Sequence, residues 1–470
     1  MAVARVRDDE LSVGVNLAGY FDSMVGVGEV ARRVGTALDH AGVPVRRHNL
    51  GGRPDPLLES ERPRREGGPA HPVNLVCANA EGMEGAFAEL GAEFFAGRYT
   101  IGFWWWEVAA FPDRWLRAFD HLDELWVGSH HVADALAMPS PVPVVRLPLP
   151  VPEVPVGDGG PVEPADGFTF LFAFDYASVF ERKNPLGLIE AYRRAFGPDD
   201  GARLVVKTLG GASHPEQHGR VVGAAGDRPD IEVLDGALSA DEMAALTAGC
   251  DCYVSLHRSE GFGLTIAEAM LHGKPVIATA YSGPRDYLTE ANGFPVGFRL
   301  VAIGPGKDPY PADGSWADPD LDQAAALMRR VVDHPEEARR RGARAREDVR
   351  AVYSPAAAGS AMAQRLRRIC TLPVDPRGRV APLDLTELTR RVRADPAPSP
   401  PGAALGALRR PLRRAVLRLI RPQAVKQRYV EEELLRVLRT LDERVTGLAA
   451  SQATLEAELR ELRKRGKEPS

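Results

Sequence analysis

Residues 257–270, HRSEGFGLTIAEAM, set two glutamates eight positions apart around a Gly-Phe-Gly turn. Upstream, CDCYVSLH (250–257) is an apolar run of strand type, and from Leu264 or Thr265 onward the spacing becomes helical. Glycines 261 and 263 permit backbone conformations and a closeness of approach that side chains resist. The amides of such a turn, with those of the first helical turn, favour an anion such as a diphosphate. Glu260 stands at the mouth of the loop, where a carboxylate accepts hydrogen bonds from sugar hydroxyls. Glu268 lies about one turn into the helix and reaches another part of an extended ligand. Two carboxylates on hydroxyls, with amides and cations on phosphates between them, describe a nucleotide-sugar site.

The longer string EGFGLTIAEAMLHGKPVIATAYSG (260–283) resembles the donor-binding segment of retaining glycosyltransferases with two Rossmann-like domains. These have the GT-B fold, and the likeness is to glycosyltransferase family 4 in particular. There a Glu-x7-Glu motif sits in this loop–helix context ahead of a Gly-Lys-Pro-Val-Ile-Ala strand. The resemblance implies that Glu260 contacts the donor sugar and Glu268 the nucleotide ribose. It places the amides of Gly261, Phe262, Gly263 and Leu264 near the sugar and phosphates. It also implies two cations for the leaving diphosphate, and Lys183 in VFERKNPLGLIEAYRRAF matches one of them. The Arg usual just after the first strand of the second domain is absent; Phe174 and Asp175 stand there, with Arg182 and Lys207 as candidate replacements. In FDSMVGVGEVARRVGTAL (21–38), Gly26 and Gly28 fall where the family's glycine loop approaches the donor phosphates, or where a strand simply turns tightly into a helix. The resemblance implies no metal and no cofactor beyond the nucleotide-sugar co-substrate.

GFWWWEVAAFPDRW (102–115) is the most unusual stretch of the first half. Trp106 and Glu107 at a strand end suit stacking on, and hydrogen bonding to, an acceptor sugar, whereas Trp104 and Trp105 suit a core. In LWVGSHHVADAL (125–136), Ser129 reads as a helix N-cap, with His130 and His131 as polar residues beside a cleft.

These residues need a scaffold, and the rest of the chain reads as one. Strand-like runs alternate with helices of 10–15 residues, which implies parallel sheets covered on both faces. The expected organisation is α/β: a Rossmann-like acceptor domain over 1–150, a Pro/Gly/acid linker over 151–167, and a Rossmann-like donor domain over 168–372. Beyond it come a linker (373–402), a basic amphipathic segment (403–428) and a coiled coil (429–466). With 470 residues, 44% hydrophobic and 26% charged, the composition is that of a globular protein of more than one domain. Cys77, Cys250, Cys252 and Cys370 lack zinc spacing and are expected as reduced core thiols. The acids in MAVARVRDDELSVGVNL argue against a signal peptide.

The 403–428 segment holds seven Arg and one Lys with no acid. From Pro411 it places Leu412, Ala415, Val416, Leu419 and Ile420 on one face, which suits an anionic membrane surface or, alternatively, a solvated docking arm. Nucleic acid is not expected as a partner, since no binding module accompanies the charge. Leu434, Leu441, Leu448, Leu455 and Leu462 then fall at d, and Leu438, Val445, Gln452 and Leu459 at a, so a coiled coil over 434–462 is expected, joining copies of the chain or, alternatively, another protein. Resemblance and tail together lead to the expectation of a retaining transferase moving a hexose to a glycan or lipid-linked acceptor in cell-surface polysaccharide biosynthesis, cytoplasmic and peripheral on the inner membrane face. The alternative is a non-catalytic GT-B scaffold assembling partner enzymes through its coiled coil.

Overall fold

The computed structural model describes residues 13–23, 26–51, 67–154 and 167–370. The linker core and everything after residue 370, including the basic segment and the heptads, lie outside the described residues.

The first domain runs β1 (Val15–Gly19), α1 (Gly26–His40), β2 (Val45–Asn49), β3 (Val73–Cys77), α2 (Ala80–Leu90), α3 (Ala92–Phe95), β4 (Tyr99–Trp104), β5 (Glu124–Val127), α4 (His130–Ala137) and β6 (Val144–Arg146). Its six strands are all parallel, in the order β2-β1-β3-β4-β5-β6. β1, β3 and β4 are buried along their whole length, as strands covered on both faces must be. α1 closes one face with an apolar stripe at helical spacing: Val30, Val34, Ala37 and Leu38 are all buried.

The second domain begins with β7 (Phe168–Asp175), α5 (Phe180–Lys183), α6 (Pro185–Ala195), β8 (Ala202–Leu209), α7 (Pro215–Ala225) and β9 (Ile231–Asp235). It continues with α8 (Ala240–Gly249), β10 (Cys252–Ser255), α9 (Leu264–Leu271), β11 (Val276–Thr279) and β12 (Phe294–Val296). The strand order β12-β11-β10-β7-β8-β9 is parallel throughout and reverses direction between β7 and β10. Ligands of doubly wound sheets bind in the crevice at such a reversal, beyond the carboxyl ends of the strands. The chain leaving β7 carries Lys183, and the chain leaving β10 carries Glu260. Asn184, in the left-handed region at φ 55°, joins α5 to α6 and donates to the Leu256 carbonyl at 2.8 Å, which ties the two exits together.

Two features go beyond the alternating pattern. β13 (Phe298–Ala302) and β14 (Ser315–Pro319) form an antiparallel hairpin. Its tip region places Ile303, Tyr310 and Trp316 in the aromatic core of the first domain, beside Trp106 and Phe119. After α10 (Leu321–Asp333) and α11 (Pro335–Tyr353), α12 (Pro355–Cys370) returns to pack against α1. Arg365 of α12 forms a paired ion contact with the fully buried Glu124 at the start of β5. Cys77, Cys250 and Cys252 are free and buried as expected, but Cys370 is exposed at the end of α12 because its neighbour Ile369 takes the buried face. Among the described residues no helix is long and apolar enough to cross a membrane.

Candidate active site

Glu260 follows β10 and is held in place before any ligand is considered. Its amide donates to Ser282 Oγ at 2.8 Å, and its carbonyl accepts from the Gly283 amide at 2.9 Å. Ser282 holds a positive φ of 62°, a strained setting for a residue with a side chain and one that clusters at functional sites. The carboxylate accepts from Lys183 Nζ at 2.6 Å and pairs with Arg182 Nη1 at 3.1 Å. Burial alone would raise the Glu260 carboxyl, yet the Lys183 and Arg182 cations outweigh it and hold the carboxyl at about 2. For Lys183 the balance falls the other way: burial pulls the ammonium below its usual range, and the Glu260 charge offsets only part of that. Arg182 is buried, donates to the Ser259 carbonyl at 2.9 Å, and keeps its Nε without a partner among the described residues.

The glycine turn feeds α9. Gly263 sits in the left-handed region at φ 86°, and a Cβ there would meet Tyr287 Oη at 2.9 Å and Pro284 Cγ at 3.0 Å. Both φ and space therefore demand glycine. Phe262 turns its ring into the core against Tyr287 and Tyr353, so only its backbone faces the loop. The Ile266 and Ala267 amides already donate to the Gly263 carbonyl at 3.1 Å, so the amides of α9 suited to an anion are the leading ones, Leu264 and Thr265. Leu264 opens that helix, and Glu268 follows one turn on, about a quarter exposed.

Sequence reasoning gave Arg33 no role, yet it meets Glu268. Its Nη2 bonds Glu268 Oε1 across the two domains, and its Nε donates to Glu29 Oε1 at 2.6 Å one turn back on α1. Gly26 and Gly28 open α1 beside it. A Cβ on Gly28 would strike the Tyr20 and Ser23 carbonyls at 2.5 Å, so a tight strand–helix turn accounts for that glycine; Gly26 is exposed with open space around it.

On the first-domain side, Glu107 joins the cluster: Arg182 Nη2 lies 4.0 Å from its Oε1, and Tyr310 Oη donates to its Oε2 at 2.9 Å. Trp106 corrects the sequence reading. Its ring is buried against Phe111, Trp115 and Tyr310, and its indole donates to the Ala110 carbonyl at 3.0 Å, which leaves no face for an acceptor sugar. Trp105, expected in the core, is the partly exposed one of the three tryptophans. Lys207 is also displaced from its candidate role. Its ammonium is spent on the Thr208 and Gly236 carbonyls at the ends of β8 and β9. Phe174 is buried and Asp175 accepts from the Ala177 amide, so no cation stands directly at the end of β7. Ser129 caps α4 by accepting from Val132, and its hydroxyl also donates to the Gly261 carbonyl at 2.5 Å. His131 donates to the Glu107 carbonyl at 2.8 Å, while His130 is exposed beside Asp286. Tyr310 and Ser282 were also missed, the first on an unassigned segment and the second inside the string that carried the resemblance. Among the described residues no group of three His, Cys, Asp or Glu could hold a metal ion.

Two parallel six-stranded α/β domains facing each other, with a carboxylate–cation cluster and a glycine turn at the switch point of the second, define a two-domain GT-B fold. Residues 169–348, which span most of the second domain, match the family described as glycosyl transferases group 1. Solved structures agree on the fold. Anabaena HepE in complex with UDP and glucose is similar at a TM-score of 0.53 and 13% identity, covering 76% of this chain and 100% of that one. Sucrose-phosphate synthase from Thermosynechococcus elongatus is similar at a TM-score of 0.55 and 18% identity, covering 76% and 99%. Among curated proteins, trehalose synthase of Rubrobacter xylanophilus is 28% identical over 178 residues, 36% of this chain and 37% of that protein. Trehalose synthase of Pyrococcus horikoshii is 28% identical over 175 residues with the same coverage. The matched segment thus spans little more than a third of either relative's length.

Proposed function

We propose that the chain is a retaining glycosyltransferase, of family 4 type, that moves a hexose from a nucleotide-diphosphate sugar to a glycan or lipid-linked acceptor in cell-surface polysaccharide biosynthesis. The observation that carries this reading is the convergence of Lys183, Arg182 and Glu260 at the β7/β10 crevice, with Glu268 one turn into the helix behind the same glycine turn. The UDP and glucose bound to HepE, and the sugar-joining names of the other relatives, support it.

In this reading Glu260 takes the donor sugar's hydroxyls. A carboxyl held at about 2 is ionised throughout the assayable range, so it accepts hydrogen bonds and does not donate a proton. Lys183 and Arg182 stabilise the diphosphate as its charge grows, with the amides of Gly261, Phe262, Gly263 and Leu264 alongside. Glu268 takes the ribose. Glu107, already turned toward Arg182, is the acceptor-side carboxylate. The departing diphosphate deprotonates the acceptor on the same face of the sugar, so the protein's work is to hold donor, acceptor and charge together. The basic segment 403–428 would attach this unit to an anionic cytoplasmic membrane face, and the 434–462 heptads would join copies of it. Removal of 403–470 should therefore abolish co-sedimentation with anionic vesicles and lower the oligomeric mass.

The assay is release of nucleoside diphosphate from nucleotide sugars. Glu260→Ala and Lys183→Ala should each cost orders of magnitude in turnover with the fold intact by circular dichroism. Full activity in either variant sinks the reading. A wild type inert toward every nucleotide sugar would favour the scaffold alternative, whose support is the missing cation directly at the end of β7.

A further inference from the structure

The two second-domain cations proposed for the diphosphate, Lys183 and Arg182, both share their charge with Glu260. No cation stands directly at the end of β7, where Asp175 accepts from the Ala177 amide, and Lys207 is bound to backbone carbonyls. Arg33 offers a further cation from the opposite domain. Its guanidinium is buried, one arm on Glu29 of its own helix and another on Glu268. Its Nη1 is buried with no partner among the described residues. A guanidinium presents its N–H groups in a fixed fork, and a buried one left idle is costly unless a ligand completes it. Glu29 is shared with Arg32, so it does not neutralise Arg33 alone.

The geometry points to Arg33 as a donor-site residue supplied by the first domain, holding the Glu268 carboxylate with Nη2 and offering Nη1 to a phosphate oxygen of a nucleoside diphosphate. One side chain then links ribose recognition to phosphate recognition, and the nucleotide binds only where the two domains meet. Arg suits this task better than Lys because its fork serves two acceptors at once.

The inference rests on the proposed nucleotide-sugar site, and calorimetric titration of the full chain separates the two. UDP, GDP, ADP and dTDP are titrated into the wild type to find the diphosphate that binds. That diphosphate, its nucleoside and inorganic pyrophosphate are then titrated into Arg33→Gln, Arg33→Lys and Glu268→Ala. Arg33→Gln should lose about 10- to 100-fold for the diphosphate, as removal of a charge-assisted hydrogen bond does. Its affinity for the nucleoside should change far less, and Arg33→Lys should recover part of the loss. Pyrophosphate binding should weaken by a similar factor in Arg33→Gln and persist in Glu268→Ala. If Arg33→Gln fails to fold, Arg33→Lys carries the comparison with a smaller, still diphosphate-selective loss. Equal losses for nucleoside and diphosphate, or none for either, would overturn the phosphate contact while leaving the nucleotide site standing. A wild type that binds none of the four would overturn the site and this inference together.

Discussion

Below pH 6.5 an unfolded chain gains a proton on His257 that the folded chain refuses. Burial pushes this histidine down to about 4, against the pull of Glu260, and it sits fully enclosed between Ser255 and the Tyr281 carbonyl. A depressed histidine costs stability as pH falls from the unfolded value toward the folded one, because only the unfolded state takes up the proton. Urea unfolding should therefore show a loss of about 3 kcal/mol between pH 6.5 and 4 that His257→Gln removes; equal slopes in both proteins would contradict the assignment. Legibility at this scale divides by distance along the chain. Glu260, Glu268 and the glycine turn share one short string, and that string carries its own context. Arg33 and Tyr310 meet their carboxylates across 235 and 203 positions, so no local spacing announces them. Trp106 and Trp105 exchanged roles because a strand end does not say which of two neighbouring faces the chain will cover.

Among the elements, α12 was the least readable. Its stripe of Ala358, Met362, Leu366 and Ile369 shows that one face is buried but not whose surface covers it. The answer is α1: a Cβ on Gly359 would lie 1.9 Å from the Ala37 carbonyl, so the two backbones are in contact there. Gly359→Ala should destabilise the fold by about 1–3 kcal/mol, as overpacking does. Gly219→Ala, in α7 where a Cβ meets nothing, should instead gain about 0.5–1 kcal/mol from helix propensity. Melting temperatures of the two variants, moving in opposite directions, check this pair. The alternating strands and helices were readable because each buries its own apolar pattern. The β13–β14 hairpin was not, since an antiparallel excursion breaks the βα rhythm and its tip packs on the other domain.

For the whole molecule, the seam between the domains decides the function. Ser129 on Gly261, Tyr310 on Glu107, Arg33 on Glu268 and the His130 amide on Asp286 all cross it, and the catalytic candidates lie among these contacts. A site assembled from both sides should bind its donor as one cooperative unit, and the donor should stabilise both domains together. The most direct measurement is thermal unfolding of the purified chain with UDP, GDP, ADP or dTDP at millimolar concentration. A ligand at 100 times its dissociation constant adds ~2.7 kcal/mol to native stability. The account predicts a raised melting temperature with one of the four and the loss of that rise in Glu268→Ala. No rise with any of them, or a rise that Glu268→Ala leaves intact, would contradict it.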